Sequence, residues 1–221
     1  MKLKSFGCSL TYGSDLADCD IPEWGASQQT WPALLADYLS YDYECYAYPG
    51  IGNLQIMNSV LEQCSLNDPA VFVINWTWLD RFDFLDPATE QWITLRPDGD
   101  TKQHLLYYKY FYNQYHTMLI NISYIKTTID ILKARNIQFI MTSLDTTLFD
   151  HVDPKWQDPK SISLLQKEIK SYMTYFENNT FLNWAKKKGF PISETLHPLE
   201  DAHQVAFELI RPNLGAILHT V

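Results

Sequence analysis

Leu3-Lys4-Ser5-Phe6-Gly7-Cys8-Ser9-Leu10-Thr11 opens the chain as a short, mostly apolar strand that runs straight into a glycine-led turn. A serine placed just beyond the carboxyl end of a strand is where open α/β sheets present reactive groups. Strand-like runs recur downstream at Tyr43–Ala47, Val71–Ile74 and Ile137–Met141. Helical periodicity fills the intervals at Trp31–Leu39, Asn53–Gln63 and Tyr107–Ala134. Thr30 can cap the first of these helices, with Pro32 in its first turn, where a missing N–H costs nothing. Strands alternating with helices predict a parallel sheet with crossovers, an α/β architecture with Ser9 at its ligand-binding edge.

The other end of the chain carries the complementary chemistry. Glu194-Thr195-Leu196-His197-Pro198 precedes a helical pattern over Leu199–Leu214. Serine is a weak nucleophile until a base takes its proton, and an imidazole base needs a third group to fix its tautomer. Ser9, His197 and Glu194 supply those types, so they are the candidate catalytic residues. Cys8 beside Ser9 raises the alternative of a cysteine nucleophile, although the residue before the exposed one in such a turn points toward packing. His203, within the last helix, reads as a packed or exposed residue rather than a catalytic one.

Bulk properties narrow the classes. The chain has 221 residues, 46% hydrophobic, with a formal net charge of −9. That is enough for a large core in one domain spanning 1–221, and too acidic for a nucleic-acid partner. Lys186-Lys187-Lys188 is a lone basic run closed by Gly189, as expected at a helix C-terminus. The first residues lack a long apolar stretch, and nothing approaches a membrane span, so a cytoplasmic protein without a membrane partner is expected. Cys8, Cys19, Cys45 and Cys64 show no metal-ligand spacing. No metal and no cofactor are expected.

Two stretches break the βα rhythm. Residues 82–105 read as an insertion, a hairpin flap over the strand ends, with Leu85-Asp86-Pro87 and Arg96-Pro97-Asp98-Gly99 as its turns. Residues 146–160 form a second irregular segment carrying Pro154 and Pro159. The aromatic run from Tyr107 to Tyr115 either packs beneath the insertion or forms an aromatic wall or dimer face.

On these motifs the chain resembles the SGNH hydrolase superfamily, the GDSL esterases and lipases. Gly7-Cys8-Ser9-Leu10 is similar to the first block, with Cys8 for the usual Asp, and Glu194-x-x-His197-Pro198 to the last, with Glu for Asp. Ala47-Tyr48-Pro49-Gly50 followed by Gly52-Asn53 is similar to the second block. The outline also resembles SGNH-like proteins of tailed phages. The resemblance implies a three-layer αβα, flavodoxin-like open parallel sheet of about five strands. It implies a Ser-His-Glu triad acting on carboxylic esters or O-acetyl groups, with small-molecule or glycan esters as substrates.

The third block departs from the family's Gly-x-Asn-Asp. Val71–Ile74 runs into Asn75-Trp76-Thr77-Trp78-Leu79-Asp80-Arg81, which puts Trp78 on the family's Asn. The backbone N–H groups of Ser9 and Gly50 are then the oxyanion-hole donors; Trp78 could add only its indole N–H, and Asn75, Thr77 or Arg81 are the candidates for the remaining donor. Asn53, Trp78 and Arg81 become the substrate-binding candidates. The loss of one donor typically costs about 10²–10³ in turnover, so the alternative is a non-catalytic binding or assembly module of the same fold.

Overall fold

The structure, a computed structural model, describes residues 1–19, 25–66, 68–156 and 158–218. Its main sheet has four parallel strands: β1 (Lys2–Phe6), β2 (Asp42–Cys45), β3 (Ala70–Trp76) and β6 (Gln138–Ser143), in the order β2-β1-β3-β6. Between β3 and β6 a separate antiparallel hairpin pairs β4 (Phe82–Leu85) with β5 (Trp92–Leu95). Every residue of β3 is buried, as a central parallel strand with both faces covered requires.

The helices in chain order are α1 (Ser9–Tyr12), α2 (Trp31–Tyr38), α3 (Asn53–Ser65), α4 (Lys102–Tyr110), α5 (Gln114–Ala134), α6 (Thr147–Asp150), α7 (Pro159–Lys170), α8 (Phe181–Lys188), α9 (Glu200–Ile210) and α10 (Leu214–Ile217). α5 packs on both α3 and α7 to form one outer layer, while α2 packs on α9. α8 joins the second layer through Phe181, whose ring lies 4.7 Å from the imidazole of His203 on α9. The result is a three-layer α/β/α fold. No helix among the described residues is long and apolar enough to cross a membrane.

Local chemistry explains most boundaries. The Thr30 hydroxyl accepts the Ala33 N–H at the start of α2, with Pro32 in the first turn. Gly189 takes a left-handed φ of 76° and closes α8 behind its three lysines. His203 is buried, and its Nδ1 accepts the Trp31 N–H at 3.1 Å, satisfying another orphan donor of α2. Burial lowers the His203 pKa to about 3, so the ring is neutral.

Two expectations change. The helical pattern Tyr107–Ala134 is two helices, because Asn113 leaves helical geometry and its Oδ1 accepts the His116 N–H as the cap of α5. The sheet has four strands among the described residues rather than about five. At the place of a fifth, Met173 makes a single parallel bridge to Met141. That segment is confined between the end of α7 and a tight turn at Glu177 and Asn178, both with positive φ, so it does not extend into a strand.

The aromatic run divides between two settings. Tyr107 stacks on Phe82 of the hairpin at 4.4 Å, and Tyr108 donates to the carbonyls of Asp80 and Leu95. Tyr110 and Phe111 are exposed. In the irregular segment after β6, Asp145 accepts from Thr147, and Trp156 lies 5.7 Å from Tyr115 of α5.

Candidate active site

Ser9 is the first residue of α1, directly after the central strand β1. The strand-to-helix turn is tight: a Cβ on Gly7 would lie 2.9 Å from Thr11 Cβ and 3.1 Å from the Asn75 carbonyl oxygen, which only glycine tolerates. Cys8 is fully buried in the hydrophobic core, so it offers no nucleophile to the cleft. Ser9 keeps 8% of its surface exposed and lines a cleft of about 650 Å³.

His197 reaches this cleft from the loop between α8 and α9. Its Nε2 accepts from Ser9 Oγ at 2.8 Å. Its Nδ1 lies 2.7 Å from Asp15 Oδ2. A carboxylate at Nδ1 holds the proton there, so Nε2 is the basic nitrogen facing the serine; this tautomer follows from the partners. Asp15 sits in the loop after α1 with a left-handed φ of 71°, a conformation that Asp adopts more readily than most residues. The same carboxylate accepts from the hydroxyls of Ser193, at 2.6 Å, and Thr195. Hydrogen bonds from Ser193, Thr195 and His197 lower the Asp15 pKa to about 2. The Ala17 N–H donates to Glu200 Oε1 at 2.7 Å, fixing the Asp15 loop to the first turn of α9.

The carboxylate at His197 Nδ1 is therefore Asp15 and not Glu194. Glu194 lies in the turn that begins at Ser193, where the Leu196 N–H returns to the Ser193 carbonyl and Leu196 has a φ of 68°. That turn leaves Glu194 exposed while Ser193 and Thr195 face Asp15. Spacing along the chain marked Glu194. The signal missed was Gly13-Ser14-Asp15, a short polar turn six residues past the serine.

The remaining predicted residues divide. Gly50, at a left-handed φ of 84° after Pro49, lines the cleft with Trp78 and Arg81. Arg81 stacks its guanidinium 5.0 Å from the Trp78 ring and donates to the Ile51 carbonyl at 2.8 Å. Asn75, Thr77 and Asn53 do not line it. Asn75 is buried, and its Oδ1 accepts from Thr142 of β6 at 3.0 Å. Thr77 is also buried, and its backbone is held at both ends by Asn53: N–H to Oδ1 at 2.8 Å, C=O from Nδ2 at 3.2 Å. Asn53 also donates to Asn121 Oδ1, which commits both of its N–H groups in the interior. Arg96, Pro97 and Asp98, beyond β5, complete the far wall, a contribution from the hairpin that the sequence reading did not assign. Asp80 also lines the cleft; burial, with Asp145 nearby, raises its pKa.

No family model matches the chain, and no curated protein matches it. Solved structures do. A lipolytic protein of the G-D-S-L family from Veillonella parvula DSM 2008 aligns over 98% of this chain and 99% of its own, at 13% identity and a TM-score of 0.52. The chain has the fold of the GDSL lipolytic proteins. TesA aligns over 99% of this chain and 100% of its own, at 14% identity and a TM-score of 0.50. The psychrotrophic esterase EstA from Pseudoalteromonas sp. covers 97% of this chain and 96% of its own, at 10% identity and a TM-score of 0.50.

Proposed function

We propose that the protein is a serine hydrolase of carboxylic esters or O-acetyl groups, working through Ser9, His197 and Asp15. The observation that carries this reading is the continuous relay from Ser9 Oγ through His197 to Asp15, at 2.8 and 2.7 Å, opening onto a cleft. Ser9 Oγ attacks the ester carbonyl as its proton passes to His197 Nε2. The tetrahedral intermediate then expels the alcohol, protonated by the same nitrogen. Water repeats the sequence on the acyl-enzyme and releases the acid. Asp15 orients the imidazole and offsets the charge it gains. The SGNH-type likeness in sequence motifs and the GDSL fold support the same chemistry.

The oxyanion is received by the backbone N–H groups of Ser9 and Gly50. Because Asn75 and Thr77 are turned inward, the third donor in this reading is Arg81, whose guanidinium retains N–H groups beyond the one given to Ile51. A cation opposite the oxyanion replaces the neutral amide that the family pattern places there. The reaction belongs in the cytoplasm, where unbridged cysteines such as Cys8, Cys45 and Cys64 persist.

A fluorophosphonate probe tests the nucleophile: it labels Ser9 in the intact protein, and the S9A variant loses the label together with hydrolysis of p-nitrophenyl acetate. Among the described residues no side-chain amide lines the cleft, which favours a second reading, a binding module that keeps the fold without turnover. Failure of Ser9 to label, in protein shown to be folded, selects that reading.

A further inference from the structure

A second hollow of about 380 Å³ adjoins the cleft and shares Pro49, Gly50 and Arg96 with it. We propose that it is a subsite for the carbohydrate portion of the ester, with a sugar ring against Trp92 and Tyr48 and its hydroxyls held by Gln55, Arg96 and His104. The proposal rests on the hydrolase reading and names the substrate class of that same site.

Two large aromatic side chains stand exposed at this hollow, Trp92 at 41% and Tyr48 at 66%. Aromatic faces in a concave site accept the apolar C–H face of a ring, and polar groups around them set its orientation. The polar groups here are organised from beneath by Asp83. This buried carboxylate comes from β4 and accepts from the N–H groups of Gly52 and Gln55 at 2.9 and 3.1 Å, joining the hairpin to the start of α3. It also accepts from Thr94 Oγ1 at 2.6 Å and Gln55 Nε2 at 3.0 Å.

The Gln55 amide gives its second N–H to Thr94 Oγ1 at 2.8 Å. Both of its donors are then committed, and Oε1 remains as an acceptor. Arg96 contributes only donors. The His104 ring is held at Nδ1 by Thr101 at 2.5 Å, which leaves Nε2 for a ligand. Vicinal hydroxyls both donate and accept, so this mixture fits a polyol. An acyl chain fits poorly, because Pro49 and Ile51 are the only aliphatic side chains at the hollow among the described residues. The shared rim at Pro49-Gly50 joins the hollow to the cleft that Ser9 lines, as the alcohol side of a glycan ester requires.

The test uses the full chain as S9A, which binds without turnover, titrated by calorimetry with xylohexaose, cellohexaose and chitohexaose. Saturable binding of one of them, weakened about tenfold or more by W92A and again by Y48A, supports the subsite. No saturable heat with any of the three at about 10 mM, or binding that neither substitution alters, overturns it. In parallel, W92A lowers kcat/KM on acetylated xylo-oligosaccharides about tenfold more than on p-nitrophenyl acetate, through KM; an equal loss on both substrates overturns the assignment. The two readings separate cleanly. Labelled Ser9 without glycan binding removes the subsite alone, whereas glycan binding without labelling removes the hydrolase and leaves a carbohydrate-binding site.

Discussion

The loops leaving the carboxyl ends of β1 and β3 lie side by side, with Gly7 packed against the Asn75 carbonyl, and they use their polar groups in opposite ways. The β1 loop spends them on the cleft: Ser9 and Asp15 both bond to His197. The end of β3 and its loop spend them on themselves and the interior. Asn75 accepts from Thr142, the Thr77 backbone is clamped by Asn53, and the Leu79 N–H donates to Asp145 at 3.1 Å. Only Trp78, Asp80 and Arg81 of that loop remain for the cleft. One loop thus turns a hydroxyl and a carboxylate toward the imidazole, and the other builds a wall whose outward groups are an indole, a carboxyl and a guanidinium.

The largest effect that would break this contrast is at Ser9. S9A is expected to lower turnover of p-nitrophenyl acetate by about 10³-fold or more, since the attacking atom is removed. Residual turnover near the wild-type rate would move the chemistry away from the β1 loop.

Next in size is the pair of carboxylates. D15N is expected to reduce kcat by about 10²-fold or more with little change in KM, and E194Q to stay within about twofold. Asp15, with its pKa lowered to about 2 by Ser193, Thr195 and His197, remains ionised throughout the mildly acidic range. Any loss of activity between pH 4 and 7 therefore has another origin. The reverse ranking of the two variants would return the third position to the Glu194 turn.

The β3 loop is sharpened by stability rather than by rate. N53A leaves the buried N–H and C=O of Thr77 without their clamp and is expected to cost about 2–3 kcal/mol in urea unfolding. E194Q, at an exposed turn, should cost about 0.5 kcal/mol or less. An N53A variant as stable as the wild type would mean that the loop is held elsewhere.

The smallest expected effect is a pH dependence of stability at the buried His203. His203 has its pKa lowered to about 3 by burial, against an ordinary value of 6.5. Between these values the unfolded chain binds a proton that the folded chain does not. Its stabilising contribution is complete above about pH 6.5 and is lost as pH falls toward 3, at up to about 1.4 kcal/mol per pH unit. Urea midpoints at pH 7 and 5.5 measure the loss, and H203Q, which keeps an acceptor for the Trp31 N–H, should flatten it. An equal slope in both proteins would assign the acid sensitivity to other groups.

The chain's linear pattern alone determined the strand-turn-helix around Ser9, the alternation of strands and helices, and the caps at Thr30 and Gly189. Each depends on local periodicity or on groups a few positions apart, which a sequence displays directly. The pairing of Ser9 with His197 was legible as well, because both sit at fixed places relative to their own elements. Tertiary structure decided the third carboxylate, since Asp15 and Glu194 are both close to a catalytic candidate in the chain and only the turn at Leu196 sets which one faces the imidazole. It also decided which way Asn53, Asn75 and Thr77 point. Their partners Asn121 and Thr142 are distant in sequence, and a buried amide goes where its hydrogen bonds can be satisfied.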